Sequence, residues 1–140
     1  GAPKEDQENL YRFGEQIGLA FQLQDDLLDV YGDPKVFGKN IGGDITSNKK
    51  TYMLINAVNR ANAKQREELT RWIDAKIFDR EEKVRAVTRL YDEIGIRQLC
   101  EQKMETCYTL AQQYMTKVQV SEDRKAVLKA YAAAMMKRQS

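Results

Sequence analysis

The sequence predicts an all-α fold, an antiparallel helical bundle or part of one, and three observations carry that expectation. Only two prolines occur, Pro3 and Pro34, so long stretches run without a helix breaker. Alternation of apolar and polar residues at period two, the mark of a half-buried strand, is hard to find. Ile96, Cys100, Met104, Cys107, Ala111, Tyr114 and Val118 step along the chain by four and three residues. That is one face of a helix about six turns long.

The elements follow in order. Pro3 suits a first helical position, and residues 4–31 contain no proline, so a long helix runs to about Tyr31. Gly32 and Pro34 stop it. Phe13, Ile17, Ala20, Phe21 and Leu28 make one apolar face, and Leu19, Leu23, Leu27 and Val30 another, which predicts a central helix packed on both sides. Residues 32–47 form a loop with four of the eight glycines. A helix over about 48–62 follows Thr46, Ser47 and Asn48, any of which can cap it, and faces inward with Leu54, Ala57, Val58 and Ala61. A third, about 64–76, buries Leu69, Trp72 and Ile73. Asp79 with Glu82 three residues on resembles a capping box for a fourth helix, 80–94, carrying Val84, Val87, Tyr91 and Ile94 and ended by Gly95. The regular stretch 96–119 is the fifth. Ser121 then caps a last helix facing inward with Val127, Ala130, Tyr131 and Ala134, with Lys137 and Arg138 complementing its end.

The 140 residues read as one helical domain, long enough to bury roughly two-thirds of the surface of the unfolded chain. With 42% hydrophobic and 31% charged residues the composition is that of a soluble globular protein. A net charge of +2, without a basic stripe interleaved with aromatics, gives no reason to expect nucleic acid as a partner. No run of 18 apolar residues and no secretory leader is present, which points away from membrane insertion and toward the cytoplasm. Cys100 and Cys107 lie two helical turns apart, about 10 Å along one helix, beyond the reach of a disulfide. They read as buried small hydrophobes. Histidine is absent, which excludes histidine-based triads and histidine-ligated zinc within the chain.

The chemistry concentrates in Phe21–Asp29, FQLQDDLLD. Helical spacing sets Asp25 and Asp29 one turn apart, with Asp26 beside them and Gln22 one turn before. Three carboxylates thus share a patch roughly 6 Å across at the negative end of the helix dipole, each disfavoured there by about 0.3–1 kcal/mol. Mutual repulsion adds about 0.7 kcal/mol per pair in water and about 3 kcal/mol at an effective dielectric near 20. Acidic triplets on solvated helix faces are commonplace, but Phe21, Leu23, Leu27, Leu28 and Val30 oppose full solvation here. A bound cation is the natural counterweight. An all-oxygen donor set suits a hard ion, and Mg²⁺, which keeps waters and shares phosphate oxygens, fits best.

The loop that follows reads GKNIGGDITSNKKTY. By itself it is a common surface type, and it lacks the spacing of a P-loop. Beside carboxylate-bound Mg²⁺, its lysines would hold phosphate oxygens that the metal does not reach. The two segments together are more specific. Phe21-Gln22, Asp25-Asp26-Leu27-Leu28-Asp29, Gly32-Asp33, Gly38-Lys39, Gly43-Asp44 and Lys49-Lys50-Thr51-Tyr52 resemble, in order, the second aspartate-rich region of trans-type polyprenyl diphosphate synthases.

That resemblance implies a large all-α bundle with a cavity between two opposed DDxxD helices. It also implies Mg²⁺-dependent head-to-tail condensation of isopentenyl diphosphate with an allylic diphosphate. Carried over by residue, it implies Asp25 as a direct metal ligand, with Asp26 and Asp29 contributing through water or hydrogen bonds, and Asp44 orienting metal-bound water. Lys39 would contact the allylic diphosphate, Lys49 would lie near it, and Phe21 and Gln22 would line the pocket where the joining carbons meet. The first DDxxD of the family has no counterpart in this sequence. The chain is therefore expected to be the C-terminal portion of a longer synthase, inactive alone and prone to self-association, with helices exchanged between copies. A noncatalytic subunit of a heteromeric synthase and a class I terpene cyclase fragment are the alternative readings.

Overall fold

In a computed structural model, residues 4–33, 41–118, 129–130 and 133–134 are described. Six helices account for most of them: α1 Lys4–Tyr31, α2 Gly43–Thr46, α3 Tyr52–Arg60, α4 Ala63–Asp74, α5 Arg80–Ile94 and α6 Ile96–Thr116. No strand occurs among the described residues. The chain divides into two compact units, one built from residues up to Asp25 together with those from Glu101 onward, the other from Asp26 to Cys100.

In the first unit Ala20 and Leu23 of α1 are buried, as are Cys107, Ala111 and Met115 of α6 and Val118 just beyond it. Met115 was not in the predicted apolar stripe, whereas the predicted Met104 and Tyr114 are half-buried. Leu19 is 42% exposed, so the second apolar side expected of α1 is incompletely covered within this chain. Both cysteines are free and buried, and burial pushes the Cys107 thiol up. The predicted last helix lies almost wholly outside the described residues; of its inward-facing set, Ala130 and Ala134 are described and are exposed.

In the second unit α5 is the hub, packing against α2, α3 and α4. Its buried stripe is Lys83, Val87, Leu90 and Tyr91, a helical i, i+4, i+7, i+8 pattern in which one member is a lysine. Local chemistry sets the ends. Asn62 and Gln65 form a reciprocal capping box at the start of α4, and Asp79 accepts from the Glu82 N–H at the start of α5. α3 begins later than the spacing suggested. Thr51, rather than Thr46, Ser47 or Asn48, is its cap, accepting from Leu54 N–H at 3.1 Å. The residues before it are taken up by the one-turn α2, which holds the buried Ile45 in the core.

Among the described residues two glycines adopt positive φ, Gly42 at 92° and Gly95 at 83°. Their surroundings differ. A Cβ on Gly42 would stand 2.7 Å from Val84 Cγ2, whereas nothing lies within 4 Å of one on Gly95. Gly95→Ala should therefore cost about 1–2 kcal/mol of stability from backbone strain alone. Gly42→Ala should cost distinctly more, read as a larger fall in the urea midpoint at unchanged slope.

Candidate metal and diphosphate site

The site is assembled around α2. Its first turn meets the end of α1: the Gly42 N–H donates to the Asp29 carbonyl at 2.6 Å, and the Asp44 N–H donates to Asp29 Oδ2 at 2.8 Å. A carboxylate thus receives an otherwise orphaned amide of a helix start, the favourable end of the dipole for a negative charge. Gly42 and Gly43 permit that approach. Gly43 leaves room beside Asp29 Oδ1, and Gly42 lies flat against Val84, so here the glycines bring backbone close to neighbouring side chains. Arg80 pins the preceding residue through a 2.7 Å hydrogen bond to the Ile41 carbonyl.

The far end of α2 turns back on itself. Asn48 has φ 57° in the left-handed region, which asparagine tolerates. Its N–H donates to Ile45 O at 3.2 Å and the Lys49 N–H to Asp44 O at 3.0 Å, closing the helix. The turn brings the Lys49 ammonium to 3.8 Å from Asp26 Oδ1 and 3.9 Å from Asp44 Oδ1. Four of the predicted residues, Asp26, Asp29, Asp44 and Lys49, therefore come together within the second unit. Asp26 is buried, at 5% exposure.

Desolvation, then the neighbouring Asp29 charge, push the Asp44 carboxyl up from its ordinary value, with Lys49 opposing and Asp26 adding to the rise. The buried Tyr91 phenol is pushed up by burial and by Asp44. Among the described residues no three carboxylates, cysteines or histidines close into a ready-made metal cage. Mg²⁺ is the cation that such a loose, oxygen-only set suits, because it holds its waters and takes one or two carboxylates plus phosphate oxygens.

The other predicted residues stand elsewhere. Phe21, Gln22 and Asp25 belong to the first unit, where Phe21 is half-buried and Gln22 and Asp25 are exposed. Lys39 lies outside the described residues. Two residues not expected at the site prove structural to it: Asn48, expected only as one candidate helix cap, and Lys83. The second was visible as a lysine on the apolar stripe of α5. An open furrow of about 600 Å³ runs along α5 from Arg80 to Asp92, but it is lined by one face of a single helix and by none of the predicted site residues.

Residues 1–92 match the family model described as polyprenyl synthetase. The chain belongs to the polyprenyl synthetase family. Among its relatives, farnesyl pyrophosphate synthase of Gallus gallus is 35% identical over 114 residues, covering 81% of the chain but 30% of the relative. A crystal structure of a geranylgeranyl pyrophosphate synthase superposes with a TM-score of 0.85 at 30% identity, covering 99% of the chain and 43% of that protein. A geranylgeranyl pyrophosphate synthase from Corynebacterium glutamicum, solved with isoprenyl diphosphate and magnesium, superposes at 0.83 with 27% identity, over 97% of the chain and 38% of that protein. The chain thus spans less than half the length of these relatives. No helix among the described residues is long and apolar enough to cross a membrane.

The raised Asp44 value gives a pH dependence with a definite sign. A carboxyl whose folded pKa exceeds its unfolded one favours the folded state below the unfolded value, and that advantage is lost as pH rises through the folded pKa. In metal-free protein, Asp44→Asn should accordingly raise the urea midpoint at about pH 7, and the gain should vanish at about pH 3. Equal gains at both values would show that Asp44 carries no electrostatic strain.

Proposed function

We propose that this chain is the second metal- and diphosphate-binding half of a prenyl diphosphate synthase. The whole protein would join isopentenyl diphosphate head-to-tail to an allylic diphosphate. The observation that supports this most is the convergence of Asp26, Asp29 and Asp44 with Lys49 around a single helical turn. A polyprenyl synthetase sequence match over the same segment adds to it.

In this reading Asp25, Asp26, Asp29 and Asp44 hold Mg²⁺, with Asp25 as the direct ligand. Bound there, Mg²⁺ supplies charge neutralisation for a departing diphosphate. Lys39 and Lys49 grip diphosphate oxygens. They stabilise the negative charge that grows as the allylic C–O bond breaks and its electron pair leaves with oxygen. The isopentenyl double bond then attacks the allylic carbon, and a proton leaves the new carbocation to regenerate a double bond. Phe21 and Gln22 line the region where the carbons join, and apolar walls keep water from quenching the cation. The buried free cysteines accord with a cytoplasmic setting.

We further propose that the 140 residues form the C-terminal portion of a longer protein, the first aspartate-rich helix being supplied upstream. Supplied with both diphosphates and Mg²⁺, the chain alone should release no prenyl diphosphate; measurable product would overturn the assignment of two halves. In the full-length protein, Asp25→Ala should lower turnover by about a thousandfold or more with helicity unchanged, and a rate near wild type would remove Asp25 from the ligands. The exposed Leu19 and Tyr11 of α1 favour self-association of the isolated chain, with helices exchanged between copies. Sedimentation at rising concentration should show a dimer or larger species, and a monomer throughout would count against it.

A further inference from the structure

Lys83 is a lysine where an apolar residue is expected. It occupies the inward stripe of α5 with Val87, Leu90 and Tyr91 and is 1% exposed. Lysine is almost never so buried without an opposite charge. Among the described residues its hydrogen-bond partners are neutral: Asn48 Oδ1 at 2.7 Å and the Thr46 carbonyl at 3.5 Å, with the Phe78 ring centroid 4.2 Å from Nζ. Burial lowers its pKa. A buried ammonium held by neutral oxygens is disfavoured relative to an apolar side chain of equal length, so core packing alone does not account for it.

What the ammonium touches is the turn that aims the site. Thr46 ends α2, and its carbonyl is one that no further turn of helix satisfies. Asn48 is the left-handed residue directly before Lys49. Its amide is held from both sides, Oδ1 by Lys83 and Nδ2 by a 3.0 Å hydrogen bond to the Ile73 carbonyl at the end of α4. Through that residue the chain reverses, so that the Lys49 N–H returns to the Asp44 carbonyl. We propose that Lys83 is a positioning residue: by clamping Thr46 and Asn48 it fixes the reversal that directs the Lys49 ammonium at Asp26 and Asp44. The inference rests on the reading of that cluster as a metal and diphosphate site. It explains why a charged group is kept in the core, since donors to both the carbonyl and the amide oxygen must come from one side chain. Groups behind a ligand set commonly matter this much, their loss costing about 10–100-fold in metal affinity.

The test uses the 140-residue chain with Lys83→Met, which keeps length and an apolar stem and removes the ammonium. Hydrogen exchange read by mass spectrometry should accelerate about tenfold in peptides covering 43–49, while peptides from α6 keep their protection. Calorimetry with inorganic pyrophosphate and Mg²⁺ should show binding weakened by about tenfold. Lys49→Ala should cost less binding in the Lys83→Met background than in wild type, because the two act as one unit. Unchanged exchange at 43–49, or losses that multiply independently, would overturn the proposal. If the wild-type chain takes up no pyrophosphate, the metal and diphosphate reading fails separately, and the exchange result alone decides the role of Lys83. Should Lys83→Met fail to fold, Asn48→Gly, which retains the ammonium and the backbone freedom for positive φ, must accelerate exchange at 43–49. Unaltered exchange in that variant would equally overturn it.

Discussion

The constraint on which the second unit turns is repulsion among carboxylates that the fold places together. Asp26 is buried, Asp29 is engaged at the start of α2, and Asp44 stands beside both, its carboxyl held above its ordinary range by desolvation and by Asp29. Among the described residues Lys49 is a cation that faces Asp26 and Asp44. At 3.8 and 3.9 Å, and half exposed, it attracts them without the close hydrogen-bonded contact that would neutralise either. A carboxyl raised by its carboxylate neighbour, beside a loosely placed ammonium, is what a site that awaits a cation and an anion requires.

The remainder of that unit serves to hold one short turn still. A four-residue helix has almost no stability of its own. α2 is secured at one end by the Asp29 carboxylate and by the packing of Gly42 on Val84, and at the other by Asn48 and Lys83. α5 supplies Val84 and Lys83, and α4 supplies the Ile73 carbonyl that fixes the Asn48 amide. Tyr31 at the end of α1 donates to Asp92 of α5 at 2.8 Å, and Arg97 lies over its ring, which ties the aspartate-bearing end of α1 to the same scaffold. Each tether is specific, so the carboxylates are positioned by the frame around them together with the bond that Asp29 accepts from the Asp44 N–H.

The helices were legible because their signals are local. Residues 4–31 and 80–94 match α1 and α5 at both ends, since Gly32, Asp79 and Gly95 mark boundaries through their own backbone chemistry. The start of α3 was misplaced because three residues that can cap a helix stood ahead of Thr51, and α2 and its closing turn claimed them. The grouping of Asp26 and Asp29 was readable from helical spacing. That Asp44 and Lys49 would meet them was implied by the family resemblance and not by spacing, because it depends on a left-handed asparagine and on a lysine from a helix 35 residues away. Lys83 was hidden for the same reason. Its position on the apolar stripe was in plain view, but its partners are set by tertiary structure. Spacing likewise left open which carboxylate is sheltered; Asp26 is, and Asp25 is exposed.

The central claim, that these aspartates are gathered to hold a divalent cation with a diphosphate, is tested most directly by electron paramagnetic resonance of Mn²⁺ used in place of Mg²⁺. With the chain and inorganic pyrophosphate both present, the sharp signal of free Mn²⁺ should fall well below that given by pyrophosphate alone. Replacing Asp26 and Asp44 together by asparagine should restore it. A signal that the chain leaves unchanged, or one quenched equally by the doubly substituted chain, would contradict the account.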